Sequence, residues 1–194
     1  PKSVKIEISP RCNYRCGFCA LRTREIQPKW DMDFGLFQRV TAEMREAGVE
    51  EIGLFYLGES FMNPRLLIDC CKWVKQKLKF PYVFLTSNAS MAFPEAVEEL
   101  MQAGLDSLKW SVNAADEEQF TEVMGVSGKL FHRALENIQL AYLMRMKHGY
   151  KTGLYASSIQ YDGAQGAKMD ALLKAKVLPY VDQHYWLPLY SMGA

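Results

Sequence analysis

The chain has 194 residues, of which 49% are apolar, 23% charged and 12% aromatic. That composition excludes a disordered tail, a collagen-like repeat and a low-complexity linker, and the length suits one domain or two. With 23 basic against 22 acidic residues the net charge is +1, so bulk charge gives no case for a nucleic-acid or anionic-membrane partner, and no apolar run approaches the ~20 residues of a membrane span.

The opening Pro1-Lys2-Ser3 is neither a signal peptide nor a natural initiator, so a trimmed N-terminus is expected. Val4, Ile6 and Ile8 alternate with Lys5 and Glu7, which predicts a first strand. A cysteine-rich loop follows. Leu36, Phe37, Val40, Met44 and Ala47 recur at helical spacing between Asp33 and Ala47, and Gly48 stops that helix. Ile52 to Leu57 reads as a second strand, and Arg65 to Lys79 as a helix with Leu67, Cys70, Cys71, Val74 and Leu78 on its apolar face. Tyr82 to Thr86 is a third strand. Pro94 opens a helix that Gly104 closes. Leu108 to Val112 is a fourth strand. Asp116, Glu117 and Glu118 suit the start of a helical region that breaks near Gly125 to Gly128 and runs to His148. Thr152 to Ile159, Lys168 to Val181 (interrupted near Pro179) and His184 to Leu189 complete the series as strand, helix and strand.

Ala47-Gly48 and Ala103-Gly104 each end a helix before an acidic turn and a strand, an internal echo spanning two βα units. Strands alternating with helices imply parallel pairing and right-handed crossovers. The expected fold is α/β: a six-stranded partial (β/α)6 TIM-type barrel, or alternatively an open doubly wound sheet. Polar residues repeat on single strand faces, as with Lys5 and Glu7, Thr86 and Asn88, and Lys109, Ser111 and Asn113. In a barrel these faces line a lumen, and the barrel is preferred for that reason. Solvated edge strands are the plainer explanation.

Cys12, Cys16 and Cys19 crowd into eight residues, whereas Cys70 and Cys71 sit on a helix as core thiols. A disulfide framework would spread an even set along the chain, so a reducing, cytoplasmic setting is expected. Three thiolates at spacings of four and three can hold three corners of an iron–sulfur cube, leaving one iron open to an outside ligand. Gly17 lets the backbone fold closely around the sulfides. A structural zinc site needs four ligands, and no fourth Cys or His is near; a simple electron carrier would bring a fourth cysteine.

The loop resembles the C-x3-C-x2-C signature of the radical S-adenosylmethionine (radical SAM) superfamily, with Phe18 at the aromatic position before the last cysteine. The resemblance implies a partial (β/α)6 barrel over residues 1–194 as one core domain of a longer protein, the last helix and any C-terminal extension being expected to lie outside it. It implies a [4Fe-4S] cluster on Cys12, Cys16 and Cys19, with S-adenosylmethionine chelated at the open iron. Reductive cleavage would yield a 5′-deoxyadenosyl radical that abstracts a substrate hydrogen. Phe18 would lie beside the adenine. Gly58 and Glu59 match the family's Gly-Gly-Glu, Glu59 receiving the methionine ammonium, with Leu57 departing from the pattern. Ser111 and Asn113 would contact the carboxylate or ribose, and Ser157 or Ser158 the carboxylate. Leu187 to Met192 would offer backbone to adenine. Thr86-Ser87-Asn88 resembles the Thr-Asn-Gly turn after the third strand, with Ala89 in place of glycine.

The stretch Gly58 to Pro64, with Ser87-Asn88 and Gly125 to Phe131, is similar to the SPASM/twitch branch, whose members modify peptides, sugars and aminoglycoside-type molecules. A small-molecule or peptide substrate and a reducing partner such as flavodoxin or ferredoxin are implied, and neither nucleic acid nor membrane. Lys5, Glu7, Tyr56, Lys109, Tyr155 and Tyr185 could face the lumen, and Arg22 and Arg24 could meet an anionic substrate or an electron donor. The competing readings are a non-catalytic iron–sulfur electron carrier or redox sensor, and a zinc-stabilised binding module.

Overall fold

The computed structural model describes residues 1–22, 25–26 and 29–189. Arg24 and the end of the Leu187–Met192 segment lie outside the described residues. Six strands, β1 (Ser3–Lys5), β2 (Glu51–Gly53), β3 (Tyr82–Ser87), β4 (Ser107–Ser111), β5 (Gly153–Ile159) and β6 (Gln183–Leu187), are all parallel and lie in unbroken chain order. A doubly wound sheet reverses its strand order at a switch point. Here every right-handed crossover steps the same way, so the helices share one side of the sheet. That selects the barrel-type winding over the doubly wound alternative. Among the described residues β1 and β6 are both edges.

The helices are α1 (Phe34–Glu46), α2 (Pro64–Lys72), α3 (Pro94–Ala103), α4 (Glu117–Met124), α5 (Lys129–His148) and α6 (Gly163–Lys176). Their starts are written locally. The Asp33 carboxylate accepts from the Leu36 amide at 2.8 Å, and Asp116 from the Gln119 amide at 2.9 Å. Asn63 caps α2 with Pro64 behind it. Gly104 ends α3 with φ +97°, a left-handed geometry that a side chain resists.

Alternation within the strands sorts the two faces. Ile52, Val83, Leu85, Leu108, Trp110, Leu154 and Ala156 are completely buried under the helices, each large one worth about 1.5–3 kcal/mol in removal from water. The other face, carrying Lys5, Phe84, Thr86, Lys109 and Tyr155, opens on a cavity. Cys70 and Cys71 are fully buried core thiols, as their helical spacing predicts.

Several boundaries differ from those expected. β1 ends at Lys5 rather than Ile8, because the Ile8 carbonyl accepts from the Met32 amide instead of a neighbouring strand. β2 stops at Gly53 rather than Leu57. The Leu54 amide still reaches Phe84, but its carbonyl takes the Ser60 hydroxyl at 2.7 Å and the chain bends away. The helix expected over Arg65–Lys79 runs from Pro64 to Lys72 and then widens into a π turn, Trp73–Lys77. Trp73 Nε1 there donates to Thr41 Oγ1 on α1 at 3.1 Å. The run expected over Lys168–Val181 starts at Gly163 and ends at Lys176, with a 3-10 turn at Leu178–Tyr180 around Pro179. β6 covers Gln183–Leu187 rather than His184–Leu189. Among the described residues no helix is long and apolar enough to cross a membrane.

Candidate active site

The loop after β1 carries Cys12, Cys16 and Cys19 to the C-terminal end of the sheet. All three line one cavity of about 600 Å³, together with Arg11, Arg15, Arg22, Tyr14 and Met62. The thiols lie within one another's electrostatic reach. Burial pushes the Cys12 thiol up to about 11 and Cys16 up to about 12, so loading a thiolate-bound group must expel protons. Among the described residues no three His, Cys, Asp or Glu side chains converge on a point as ligands of one ion would. The donor set fits a cluster held by three thiolates, and Arg11, Arg15 and Arg22 in the same lining offset thiolate charge or meet a carboxylate.

The loop is braced from two sides. At the end of α4, the carbonyls of Met124 and Val123 accept from the Arg15 and Gly17 amides at 2.8 and 3.0 Å. These are carbonyls that a helix end leaves unpaired, and Gly125 terminates α4 against Arg15. Cys16 Sγ lies 3.3 Å from Met124 Sδ. Beneath the loop a second apolar cluster holds Tyr14, Phe120, Met124 and Phe131, with Phe18 half-buried against it. The Tyr14 and Phe120 rings meet edge to face at 5.2 Å.

On the other side, Gly58 passes directly under the β1 loop. A Cβ on Gly58 would stand 2.0 Å from the Ser9 carbonyl oxygen. Its amide and that of Leu57 donate to Glu7 at 2.9 and 3.0 Å, and the Glu59 amide donates to the Arg11 carbonyl at 2.8 Å. The Glu59 carboxylate is buried near Cys12 and Tyr14. It accepts from the Phe61 amide (3.1 Å), the Ser87 hydroxyl (3.0 Å) and the Asn88 amide (2.8 Å). Burial raises its affinity for a proton, against those three hydrogen bonds. Three of its four lone-pair positions are thus taken, leaving one on Oε2.

Sequence reasoning missed two further braces. Asp31 accepts from Ser9 Oγ (2.7 Å), Arg11 Nη2 (2.6 Å) and Asn63 Nδ2 (2.8 Å), tying both ends of the site to α2. Asn13, Asn88 and Ser90 form a closed hydrogen-bonded triangle. At Ala89 the turn after β3 takes φ +67°, the left-handed geometry that explains why glycine would be usual there. The Gly125 break was the one local signal for the α4 brace; nothing local marked Asp31.

Ser111 and Asn113 border a void of about 20 Å³ next to Tyr14, Asn88 and Met124. The Asn113 side-chain oxygen also accepts from the Ile159 amide at 3.0 Å. Ser157 is buried beside Ser111 on β5, and Ser158 faces the opposite side, 3.0 Å from His184 Nε2. Of the six residues expected in the lumen, Lys5, Lys109, Tyr155 and Tyr185 gather on one cavity of about 290 Å³. Glu7 turns to the Leu57–Gly58 amides, and Tyr56 is 62% exposed, because β2 ends before alternation could carry it inward.

Comparison with known proteins decides the class. A family model described as the radical SAM superfamily matches residues 6–156. The chain belongs to the radical SAM superfamily. Members use a [4Fe-4S] cluster and S-adenosylmethionine, and structural neighbours hold the latter bound. A probable GTP 3′,8-cyclase of Thermoplasma volcanium is 30% identical over 132 residues, covering 66% of this chain and 37% of the relative. The S-adenosylmethionine-dependent nucleotide dehydratase RSAD2 of Oncorhynchus mykiss is 30% identical over 142 residues, covering 71% and 38%. Streptococcus suis SuiB, solved with S-adenosylmethionine and also with its precursor peptide SuiA, superposes with TM-scores of 0.75 and 0.74 at 18% and 16% identity. It covers 99% of this chain, which covers 41% of SuiB in the first of these. The chain thus spans about two fifths of the length of these relatives, and the radical SAM core is what they share.

Proposed function

We propose that residues 1–194 form one radical SAM core domain that starts radical hydrogen abstraction on a small-molecule or peptide substrate. The observation that carries this reading is the opening of Cys12, Cys16 and Cys19 onto a single arginine-lined cavity at the carboxyl ends of a singly wound parallel sheet. The bound cluster and S-adenosylmethionine supply a 5′-deoxyadenosyl radical when an electron arrives from a donor such as flavodoxin or ferredoxin. The protein's part is to place and shield them. Cys12, Cys16 and Cys19 would hold the cluster by three thiolates, so that its remaining site could take the cofactor's amino and carboxylate groups. Oε2 of Glu59 offers its remaining lone pair to the ammonium, while Gly58 lets that loop pass under Ser9. Phe18 sits at the rim against the Tyr14–Phe120 cluster, where a flat adenine can lie. Ser111, Asn113 and Ser157 offer hydroxyl and amide groups from β4 and β5 to ribose or carboxylate.

The substrate is drawn from the peptides, sugars or aminoglycoside-type molecules that the SPASM/twitch likeness suggests. Two relatives are named for nucleotide chemistry, and SuiB binds a precursor peptide. Thiols that must stay reduced fit a cytoplasmic setting. Anaerobic reconstitution tests the reading. About four irons per chain, with 5′-deoxyadenosine released on adding dithionite and S-adenosylmethionine, is the expected result. A cluster without cleavage would instead identify an electron carrier or redox sensor, and stoichiometric zinc without iron would reject both.

A further inference from the structure

The face of the sheet opposite the helices holds a second cavity, of about 290 Å³, whose lining runs from Lys5 on β1 across to Tyr185 on β6 and includes none of the three loop cysteines. Its lining has a definite chemistry. Lys5 enters from β1 and Lys109 from β4, and the Lys5 charge is felt at Lys109 across the sheet. Neither lysine forms an ion pair with a carboxylate among the described residues, and no Asp or Glu lines the cavity. Acids on adjoining segments are engaged elsewhere. Glu7 accepts from the Leu57 and Gly58 amides, and Asp182 pairs with Arg145 and takes the Leu154 amide. Burial, then the Lys5 charge, shift Lys109 away from its ammonium form. Lys5 is exposed and its ammonium lies 5.4 Å over the Phe55 ring, whereas Lys109 is half-buried beside a like charge, so an anion entering between the two would favour the ammonium form of Lys109.

The walls are aromatic. Tyr155 and Tyr185 lie 6.3 Å apart at 32°, and Tyr82 and Phe84 6.0 Å apart at 31°. Two strand glycines make room for these rings. A Cβ on Gly53 would meet the Phe84 ring at 2.9 Å, and one on Gly153 the Tyr155 ring at 2.7 Å. Above the lysine level the same face continues through Ser111 and Ser157, which are paired in register. Ser111 and Asn113 stand two and four residues beyond Lys109, or about 7 and 13 Å along a strand.

We infer that Lys5 and Lys109 hold an anionic group of the substrate at the base of the lumen, with the aromatic walls against its neighbouring flat or apolar portion and its reacting end directed toward the cysteine loop. The inference rests on the radical SAM reading above and narrows it. The substrate bears a phosphate or carboxylate, and a polycationic aminoglycoside is excluded.

The test uses the full chain with its cluster reconstituted anaerobically and S-adenosylmethionine present. Calorimetry measures binding of inorganic pyrophosphate and, in a parallel arm, malonate, with kanamycin as a cationic probe. The variants are Lys5→Met, Lys109→Met and Lys109→Arg, with thermal melts to establish folding. Methionine keeps the apolar stem, and Lys5 is exposed, so that variant tolerates the change in packing. Each methionine variant should weaken binding of the preferred anion about tenfold or more, and Lys109→Arg should retain it. Preference for pyrophosphate assigns a phosphate-bearing substrate, and preference for malonate a carboxylate. Equal affinity in the wild type and both methionine variants, or tighter binding of kanamycin than of either anion, overturns the inference. Release of 5′-deoxyadenosine by the same wild-type preparation is scored separately. Release without anion binding rejects this inference alone, whereas no release rejects the functional reading and the inference with it.

Discussion

The hydroxyl of Ser87 donates to the carboxylate of Glu59 at 3.0 Å, and both side chains are buried. With the Asn88 and Phe61 amides it makes Glu59 a bracket between the bend after β2 and the end of β3. Glu59→Gln puts an amide NH2 where an acceptor stood, facing at least one of these donors. We expect a loss of about 1–3 kcal/mol, read as a fall in Tm of about 2–4 °C per kcal/mol. Cofactor affinity should drop while iron content stays unchanged. An unaltered melt together with unaltered affinity would remove Glu59 from both roles.

Gly58 is fixed by crowding rather than by backbone angle. Gly58→Ala drives a methyl group into the Ser9 carbonyl, and we expect a cost at the upper end of about 1–3 kcal/mol with poor retention of iron. Gly48 is the contrast. Its φ is +85° but nothing stands within 4 Å of an added Cβ, so Gly48→Ala should cost about 1–2 kcal/mol and leave iron content intact. Denaturant melts and iron assays on the pair separate the two causes.

The cysteines fall into two functional sets. Cys16→Ala should abolish iron binding and cofactor cleavage together. Cys71→Ala removes a completely buried thiol from the far core and should cost about 1 kcal/mol without changing iron content. Equal iron loss in both variants would contradict the division.

Asp31 predicts a pH dependence. Burial raises its pKa, but hydrogen bonds from Ser9, Asn63 and Arg11, with the Arg11 charge, outweigh that and lower it overall. A carboxylate with a depressed folded pKa stabilises fully above its unfolded value of about 3.9, and loses that contribution as pH falls through the lower folded value. The stability gap between wild type and Asp31→Asn should therefore be constant from pH 7 to about 5 and shrink below about pH 4. Denaturant titrations at those pH values check it; a gap that widens in acid would reverse the assignment.

Sequence alone determined the features that live in short spacings. The Cys12–Cys16–Cys19 interval places three thiols on one tight loop whatever surrounds it. Caps such as Asp33 and Asn63, and the Gly104 stop, are signals read within one helical turn. The alternation of strands with helical segments, two of them between β4 and β5, implied parallel pairing through the handedness of the crossovers. What depended on distant parts of the chain meeting was decided only in three dimensions. β2 ends early because Ser60 claims the Leu54 carbonyl and the bend must carry Gly58 beneath Ser9. Asp31 gathers Ser9 and Asn63 from 22 and 32 residues away, and Lys5 confronts Lys109 across the sheet. Such meetings follow from register and from the one-way curl of the sheet, neither of which is encoded in the spacing of neighbouring residues.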